Sequence, residues 1–265
     1  MPPMSMLIDA GKAIVAQAVV WVCCYMLVKD RPIYDTKKGT VLEDHKFREK
    51  IDAWDGVFCQ PFFTLLAVLA LQASYDLGGS VESRWKGQTD ASYWFQIFYV
   101  TRMVVHTPLQ FVTLKNNPKL LAQMTMHHVL SACSFGSGLM TGRMHFFAVF
   151  DGCCEVTTFF LNGLFLLRTY APPDANAVPK ALCGGFLWLT FIFFRLLLFP
   201  AWLYLFFSDV YAAPAITWDT IGSFERYGYV PVTVVLLVLS ASWFVPITKG
   251  LIKAVKGASK KKKGE

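Results

Sequence analysis

The sequence predicts an all-α membrane protein, a polytopic bundle of about seven transmembrane helices. Of its 265 residues, 55% are hydrophobic and 16% are charged, whereas a soluble domain normally carries about 25% charged residues. The hydrophobic residues form seven runs, and about 20 apolar residues in a helix cross the hydrocarbon core of a bilayer. Basic residues lie between these runs and at the C-terminus. The net charge of +7 therefore indicates anionic lipid rather than nucleic acid as the partner.

Short polar segments with turn residues separate the predicted spans. Pro118 ends the third span, because a residue before proline avoids the helical conformation. We divide the chain into an N-terminal span with a basic loop at residues 1–46, a transmembrane domain at 47–257 and a basic tail at 258–265. Six of the helices are expected to form the core. The predicted spans are Leu7–Val28, Trp54–Tyr75, Ala91–Thr113, Lys119–Met140, Met144–Arg168, Ala181–Phe207 and Tyr227–Ile252.

The distribution of lysine and arginine predicts the orientation in the membrane. The loop at residues 29–53 and the tail from Lys249 onward carry seven basic residues each, and cytoplasmic segments are enriched in such residues. We therefore expect a cytosolic C-terminus. The final residues Lys262-Lys263-Gly264-Glu265 resemble the cytosolic di-lysine retrieval signal of endoplasmic reticulum membrane proteins, so we expect a multi-pass protein of that membrane. A polybasic tail attracted to anionic lipid is the alternative.

Two of the apolar runs carry ionisable residues. His127 and His128 are adjacent in the fourth span. The fifth span has polar residues at i, i+4, i+7 and i+11, a spacing that places them on one helix face; they are Asp151, Glu155, Thr158 and Asn162. Ionisable groups are costly at membrane depth and commonly mark functional sites. The alternative is a polar seam that only holds helices together.

Two arginines also lie inside apolar runs, Arg102 in the third span and Arg195 in the sixth. An unpaired charge is costly to bury. We therefore expect these arginines to neutralise Asp151 and Glu155. Ion pairs that only fix the helix register are the alternative interpretation for both arginines.

An ordered set of segments resembles the TLC-domain family of membrane proteins, which includes the ceramide synthases. The resemblance covers roughly residues 47–257, and the run from Glu155 to Asn162 is most similar to the branch outside the ceramide synthases. It implies a lipid-accessible cavity inside a six-helix core. The segments are the His127-His128 pair followed by the helix with Asp151 and Glu155, the run Glu155–Asn162, the run Arg195–Pro200 and the run Ser242–Gly250.

The resemblance to the ceramide synthases themselves is incomplete. Their motif, as the resemblance implies it, has a His-Asp pair shortly before the residues that match Asp151 and Glu155. That pair falls on Phe147 and Ala148 in this chain. We therefore expect no ceramide synthesis. The branch that this chain resembles has members linked to membrane phospholipid composition, lipid sensing or trafficking.

Three functions follow from these observations. We rank first a protein that binds a lipid or acyl chain in an intramembrane polar cavity and acts in lipid homeostasis. A lipid acyltransferase with acyl-CoA as its donor substrate is the second, and a structural membrane subunit with a packed polar seam is the third. The predicted lipid-binding residues are Glu155, Thr158, Asn162, Arg195 and Arg102, and the predicted catalytic residues are His127, His128 and Asp151.

The acyltransferase hypothesis depends on a contact between helices. A very short turn joins the fourth and fifth spans, so we expect them to be antiparallel neighbours. One imidazole should then lie within reach of Asp151 or Glu155. The carboxylate would fix the tautomer, and the imidazole would act as a general base or accept the acyl group.

The sequence predicts neither a cofactor nor a metal ion. Histidines together with carboxylates can ligate iron or zinc, but the spaced histidine boxes of membrane di-iron enzymes are absent from the sequence. The expected partners are membrane lipids and not nucleic acid. Self-association into a homo-oligomer stays open.

Overall fold

The structure, a computed structural model, describes residues 3–35, 40–41, 47–172 and 177–262. The predicted retrieval signal lies largely beyond this part of the chain. Lys263 lies outside the described residues, and Lys262 is described only as the last residue of a helix.

The described chain is almost entirely helical. A π-helical segment, Ile192–Leu197, joins the eighth and ninth helices. The described residues contain no strand beyond an isolated bridge between Tyr34 and Val41. The helices are α1 (Met4–Val28), α2 (Phe47–Leu77), α3 (Val81–Lys86), α4 (Asp90–Thr113), α5 (Pro118–Thr141), α6 (His145–Gly152), α7 (Glu155–Thr169), α8 (Ala177–Phe191), α9 (Leu198–Ala212) and α10 (Ser223–Lys262).

The predicted all-α bundle is confirmed, and every predicted span falls on helix, the fifth with a break at Cys153 and Cys154. Five helical stretches are long and apolar enough to cross a membrane by length and composition. The helices α4 and α5 have 24 residues each, or about 36 Å of helix, which is long enough for a crossing. Their mean hydropathy is lower than that of these five stretches, because they carry many of the buried polar side chains. The five apolar stretches are Met4–Val28, Phe47–Leu77, His145–Thr169, Val178–Ala212 and Ser223–Ala254.

Local sequence signals set the ends of α4 and α5. Thr89 and Ser92 form a reciprocal capping box at the start of α4. Asn117 caps α5, with Pro118 in the first turn. Gly142 ends α5 in the left-handed conformation, with φ of 63°. The turn between α5 and α6 is therefore as short as the sequence predicts.

Glycines allow close packing of helices in the interior. A Cβ atom added at Gly152 would clash with the ring of Phe95 on α4, and one added at Gly56 would lie 2.6 Å from Phe165 on α7. Small residues at such contacts let helices in a membrane approach closely. These two contacts hold α6 against α4 and α2 against α7.

The neighbours of α7 differ from those that the short turn predicts. The helix α6 contacts α5, but α7 packs mainly against α2 and α8. The fourth and fifth spans are therefore adjacent near their connecting turn and separate along their remaining length. The separation arises because α4 packs against α5, with Tyr99 on α4 lying close to both Ser131 on α5 and Glu155 on α7.

Helix α1 lies at the edge of the bundle. It packs against α2 and α4, and only Ala13, Gln17 and Cys24 are buried along its length. Most of its side chains, such as Val19 and Leu27, are exposed. An apolar helix with this exposure is suited to contact with lipid. Its buried face forms one wall of the site described next.

Candidate functional site

Asp55 on α2 is the centre of a buried polar cluster. Arg102 on α4 donates a hydrogen bond of 2.6 Å from Nη2 to Asp55 Oδ2. Trp21 on α1 donates from Nε1 to Asp55 Oδ1 at 3.1 Å, and the Cys59 thiol lies 3.4 Å from Oδ2. The Arg102 guanidinium also lies over the Phe58 ring, 4.9 Å from its centroid. Three helices therefore stabilise one carboxylate.

Two histidines extend this cluster from α4 to α5. His106 Nε2 lies 3.2 Å from Asp55 Oδ2, and the His106 ring lies 5.3 Å from the His128 ring. The Thr107 hydroxyl lies 3.1 Å from His128 Nδ1, and the Gln110 amide lies 3.4 Å from His128 Nε2. Both nitrogens of His128 therefore have partners.

A cleft of about 310 Å³ opens onto this cluster between α1, α2 and α4. Its walls are largely apolar, and some of the side chains that line it are exposed at the lipid-facing surface. Arg102 and Asp55 form its polar base. The lining residues are Ile14, Gln17, Ala18, Trp21, Val22, Asp55, Phe58, Arg102, Val105 and Leu109.

Two buried nitrogens at this site have no hydrogen-bond partner within the described chain, Nε of Arg102 and Nδ1 of His106. Buried polar atoms are nearly always paired in folded proteins, so each exception requires a cause. Arg102 itself lines the cleft, so a ligand there would provide a partner for its Nε.

A second buried cluster surrounds Glu155 at the start of α7. The carboxylate lies close to the charge of Arg195 and to the hydroxyl groups of Tyr99 and Thr158. Arg195, in the π-helical segment, donates from Nε to Thr157 Oγ1 at 2.8 Å. Glu155 and Arg195 are thus neighbours, as the sequence predicts, although no ion pair within 4.0 Å joins them in the described structure.

Two further predicted residues, His127 and Asn162, lie on α5 and α7. His127 is buried with its ring 5.8 Å from that of Trp243 on α10, and it lies close to the guanidinium of Arg195. Asn162 donates from Nδ2 to the Gly56 carbonyl at 3.3 Å. Asn162 therefore connects α7 to α2 and does not line the cleft.

Asp151 lies apart from both clusters. It is 8% exposed, and its Oδ1 has no partner in the described structure. The cavity beside it, lined also by Ser134, Tyr229 and Thr233, has a volume of about 10 Å³. A cavity of that size holds about one water molecule. The interior next to Asp151 is therefore too closely packed for a lipid.

The predicted polar stripe is interrupted between Asp151 and Glu155. The amide of Cys154 bonds to the Asp151 carbonyl, and that of Thr157 bonds to the Cys154 carbonyl, at 3.1 and 3.0 Å. These are i to i−3 bonds with 3.0 residues per turn instead of 3.6. The tighter turn rotates Glu155 away from the face that carries Asp151, so the two carboxylates point to different neighbours.

Two predicted contacts are therefore wrong. No hydrogen bond joins His127 or His128 to Asp151 or Glu155 in the described part of the chain; the histidine–carboxylate contact is that of His106 with Asp55. Arg102 also pairs with Asp55 instead of Asp151 or Glu155. Both errors have the same cause. The prediction packed α5 against α7, whereas in the structure α5 packs against α4 and α7 packs against α2.

Asp55 and His106 are the functional candidates that sequence reasoning missed. A signal for Asp55 was present, because it is a carboxylate in the first turn of an apolar predicted span. His106 follows Arg102 by four residues, the spacing of one helix face. No pattern in the sequence indicates that these faces of α2 and α4 meet.

The described residues contain no group of three or more His, Cys, Asp or Glu side chains that could hold a metal ion. That the protein binds no metal ion stays a prediction.

A family model of the TLC domain matches residues 47–249. The chain belongs to the TLC-domain family. No match was found among curated proteins or among solved structures.

The matched TLC domain contains both buried clusters. Asp55, Arg102, His106 and Glu155 all lie within it, whereas α1 precedes it. Trp21 on α1 nonetheless bonds to Asp55, and Gln17 donates to the Thr101 hydroxyl at 2.7 Å. The cleft is therefore built jointly by the TLC domain and a helix outside it.

Proposed function

We propose that this TLC-domain protein binds a membrane lipid in the cleft between α1, α2 and α4 and acts in lipid homeostasis in the endoplasmic reticulum membrane. The observation that carries this proposal is the Asp55–Arg102 pair at the base of an apolar cleft. Ionisable residues at membrane depth mark functional sites when they face a cavity. Of the positions considered from the sequence, Arg102 is the one that faces it.

The chemistry of the cleft suits a lipid with a polar group beside an acyl chain. Nε of Arg102 is a buried donor without a partner in the described chain, and it would donate to an ester carbonyl or a lipid hydroxyl. Val22 and Val105 offer apolar contact for the chain. A volume of about 310 Å³ lies at the lower end of ligand pockets, so part of the lipid would remain in the bilayer.

A filling substitution tests the binding proposal. Ala18 lines the cleft, whereas Ala16 is an exposed residue of the same helix that does not. We expect Ala18→Trp to reduce the lipid that co-purifies with the protein at least severalfold, while Ala16→Trp retains it. Native mass spectrometry measures the bound lipid, and lipid profiling of cells at matched expression measures the effect on homeostasis. Equal lipid retention in the two variants would refute binding at this cleft.

Acyl transfer is the second candidate, and the contact between His106 and Asp55 favours it. A hydrogen bond from His106 Nε2 to the carboxylate leaves Nδ1 as the basic nitrogen, and Nδ1 has no partner in the described chain. Such an imidazole would take the proton from an acceptor hydroxyl or amine while that acceptor attacks the thioester of acyl-CoA. Loss of a general base lowers the rate by about 10²–10⁴.

The two functions separate in an assay with purified protein, acyl-CoA and sphingoid or lysolipid acceptors. Acyl transfer predicts turnover that His106→Gln abolishes. If His127, His128 or Asp151 is catalytic, as the sequence predicts, the corresponding Gln or Asn variant should lose turnover instead. Lipid binding predicts no turnover with any acceptor and only a modest change in lipid occupancy for each of these variants.

A further inference from the structure

A second groove lies between α7, α8 and α10, at one end of the bundle. Its volume is about 260 Å³. Leu164 and Leu187 are buried in its floor, and Ile247 belongs to its α10 side. None of the residues that line it lines the cleft beside α1. It is a separate site.

Basic side chains surround this groove. Arg168, in the last turn of α7, and Lys180, in the first turns of α8, both line it. Lys180 donates from Nζ to the Pro172 carbonyl at 3.1 Å, which positions it at the rim. Lys249 and Lys253 are exposed on the same end of α10.

Acidic residues are absent from the described stretches that form the groove. The stretches that form it, residues 161–172, 180–191 and 243–254, contain no aspartate or glutamate. The connection between α7 and α8 carries Asp174, which lies outside the described residues. An apolar floor with a positive rim complements an amphiphile with an anionic head.

Glycines leave open space along the groove. Gly184 on α8 and Gly250 on α10 line it, and a Cβ atom added at either would have no atom within 4 Å. Gly185 is equally open but does not line the groove. The chain thus provides a matched pair of neighbouring positions, one inside the groove and one outside it.

We propose that this groove binds an anionic phospholipid, with the phosphate at Arg168 and Lys180 and part of an acyl chain on the apolar floor. Basic pockets between transmembrane helices bind anionic headgroups in this way. In the orientation predicted from the basic residues, this end of the bundle faces the cytosolic leaflet, where anionic lipids are concentrated. The site is independent of the lipid proposed for the α1 cleft.

Competition between lipid headgroups tests the proposal. Purified protein is titrated with phosphatidylserine and, separately, with phosphatidylcholine, and bound lipid is counted by native mass spectrometry. The wild type should retain phosphatidylserine in preference to phosphatidylcholine. Excess inorganic phosphate should not displace it, because free phosphate lacks the acyl chain. Equal retention of the two lipids would overturn the proposal.

Charge variants locate the headgroup. Arg168→Gln with Lys180→Gln should weaken phosphatidylserine binding about fivefold for each charge removed. The control is Lys115→Gln with Lys119→Gln, which removes two charges from a turn on the same predicted side but outside the groove. A control that weakens binding as much as the groove variant would show only a general attraction of the surface, against the proposal.

Filling variants locate the chain. Gly184→Leu should abolish retention of phosphatidylserine, whereas Gly185→Leu should leave it unchanged. Both added side chains begin in open space, so both variants should fold, and thermal unfolding checks this. Retention by Gly184→Leu equal to that of Gly185→Leu would overturn the proposal. The Ala18→Trp variant should retain the anionic lipid, which separates this site from the α1 cleft.

Discussion

Arg102 on α4 donates a 2.6 Å hydrogen bond to Asp55 on α2, and this buried ion pair connects the two helices. The side chains of Arg102 and Asp55 are 3% and 6% exposed. Asp55 also accepts from Trp21, so the pair connects α1 to the TLC domain. The same residues form the base of the cleft. We therefore expect both the stability of the bundle and the proposed lipid binding to depend on one pair of charges.

Removing one charge of this pair should destabilise the protein more than removing both. Arg102→Leu leaves the Asp55 carboxylate buried without its cation, and breaking a buried pair in this way costs about 3–5 kcal/mol. In Asp55→Leu with Arg102→Leu no charge is stranded, so much of that loss should be recovered. Unfolding in detergent micelles measures both variants.

The double variant also separates the two roles of the pair. It should remain folded and yet retain less lipid than the wild type, because Arg102 no longer offers its donor to the cleft. If the double variant lost as much free energy of unfolding as the two single variants together, the coupling of the two residues would be contradicted.

Alanine at the closely packed glycines should destabilise the bundle. Gly152→Ala places a methyl group against Phe95, a fully buried ring, and overpacking of this kind costs about 1–3 kcal/mol. Gly185→Ala is the control, since its added methyl group meets open space and alanine favours the helix by up to about 1 kcal/mol. A Gly152→Ala protein with unchanged thermal unfolding would contradict the close contact of α6 with α4.

Most of the fold follows from the sequence because each helix is a local pattern. Apolar runs predict the spans, and Pro118 predicts the break between α4 and α5. Helix boundaries are harder to predict from the sequence where two helices are joined end to end. The break between α6 and α7 falls at Cys153 and Cys154, two residues whose types give no sign of a tighter turn.

The candidate site is less predictable because it depends on which helices are neighbours. Periodicity identifies the polar face of α4 but not the helix that this face contacts. The sequence therefore predicts Arg102 as a buried cation and assigns it the wrong carboxylate. Glu155 and Arg195 are predicted together and do lie together, because the segments that carry them, α7 and the π-helical turn that follows α8, pack against each other.

The contact between Arg84 and Asp209 should stabilise the end of the bundle opposite the basic tail. Arg84 on α3 donates from Nε to Asp209 Oδ2 on α9 at 2.7 Å, and Trp85 donates to the same oxygen at 3.0 Å. Asp209→Asn leaves a cation without its partner, and we expect a loss of about 3 kcal/mol in the free energy of unfolding. The control is Asp219→Asn, which removes an exposed charge from the same loop region. Equal stability of the two variants would show that the contact contributes nothing measurable.

The orientation predicted from basic residues can be tested by glycosylation. An acceptor site placed after Glu265 should stay unmodified, because a cytosolic tail does not meet the lumenal transferase. An acceptor site placed before Leu7 should be modified, since an odd number of spans places the N-terminus on the opposite side. Gel mobility with and without a glycosidase shows whether each protein carries a glycan. A glycan on the C-terminal site would reverse the orientation.

The predicted location in the endoplasmic reticulum should depend on the position of two lysines and not on the charge of the tail. Changing Lys262 and Lys263 to Ser removes the lysines third and fourth from the end, and the protein should then leave the endoplasmic reticulum. Changing Lys260 and Lys261 to Ser removes the same charge and keeps the signal in place, so this variant should stay. Fluorescence microscopy against organelle markers compares the two. If both variants leave, the tail is held by its charge on anionic lipid; if both stay, retention lies elsewhere in the chain.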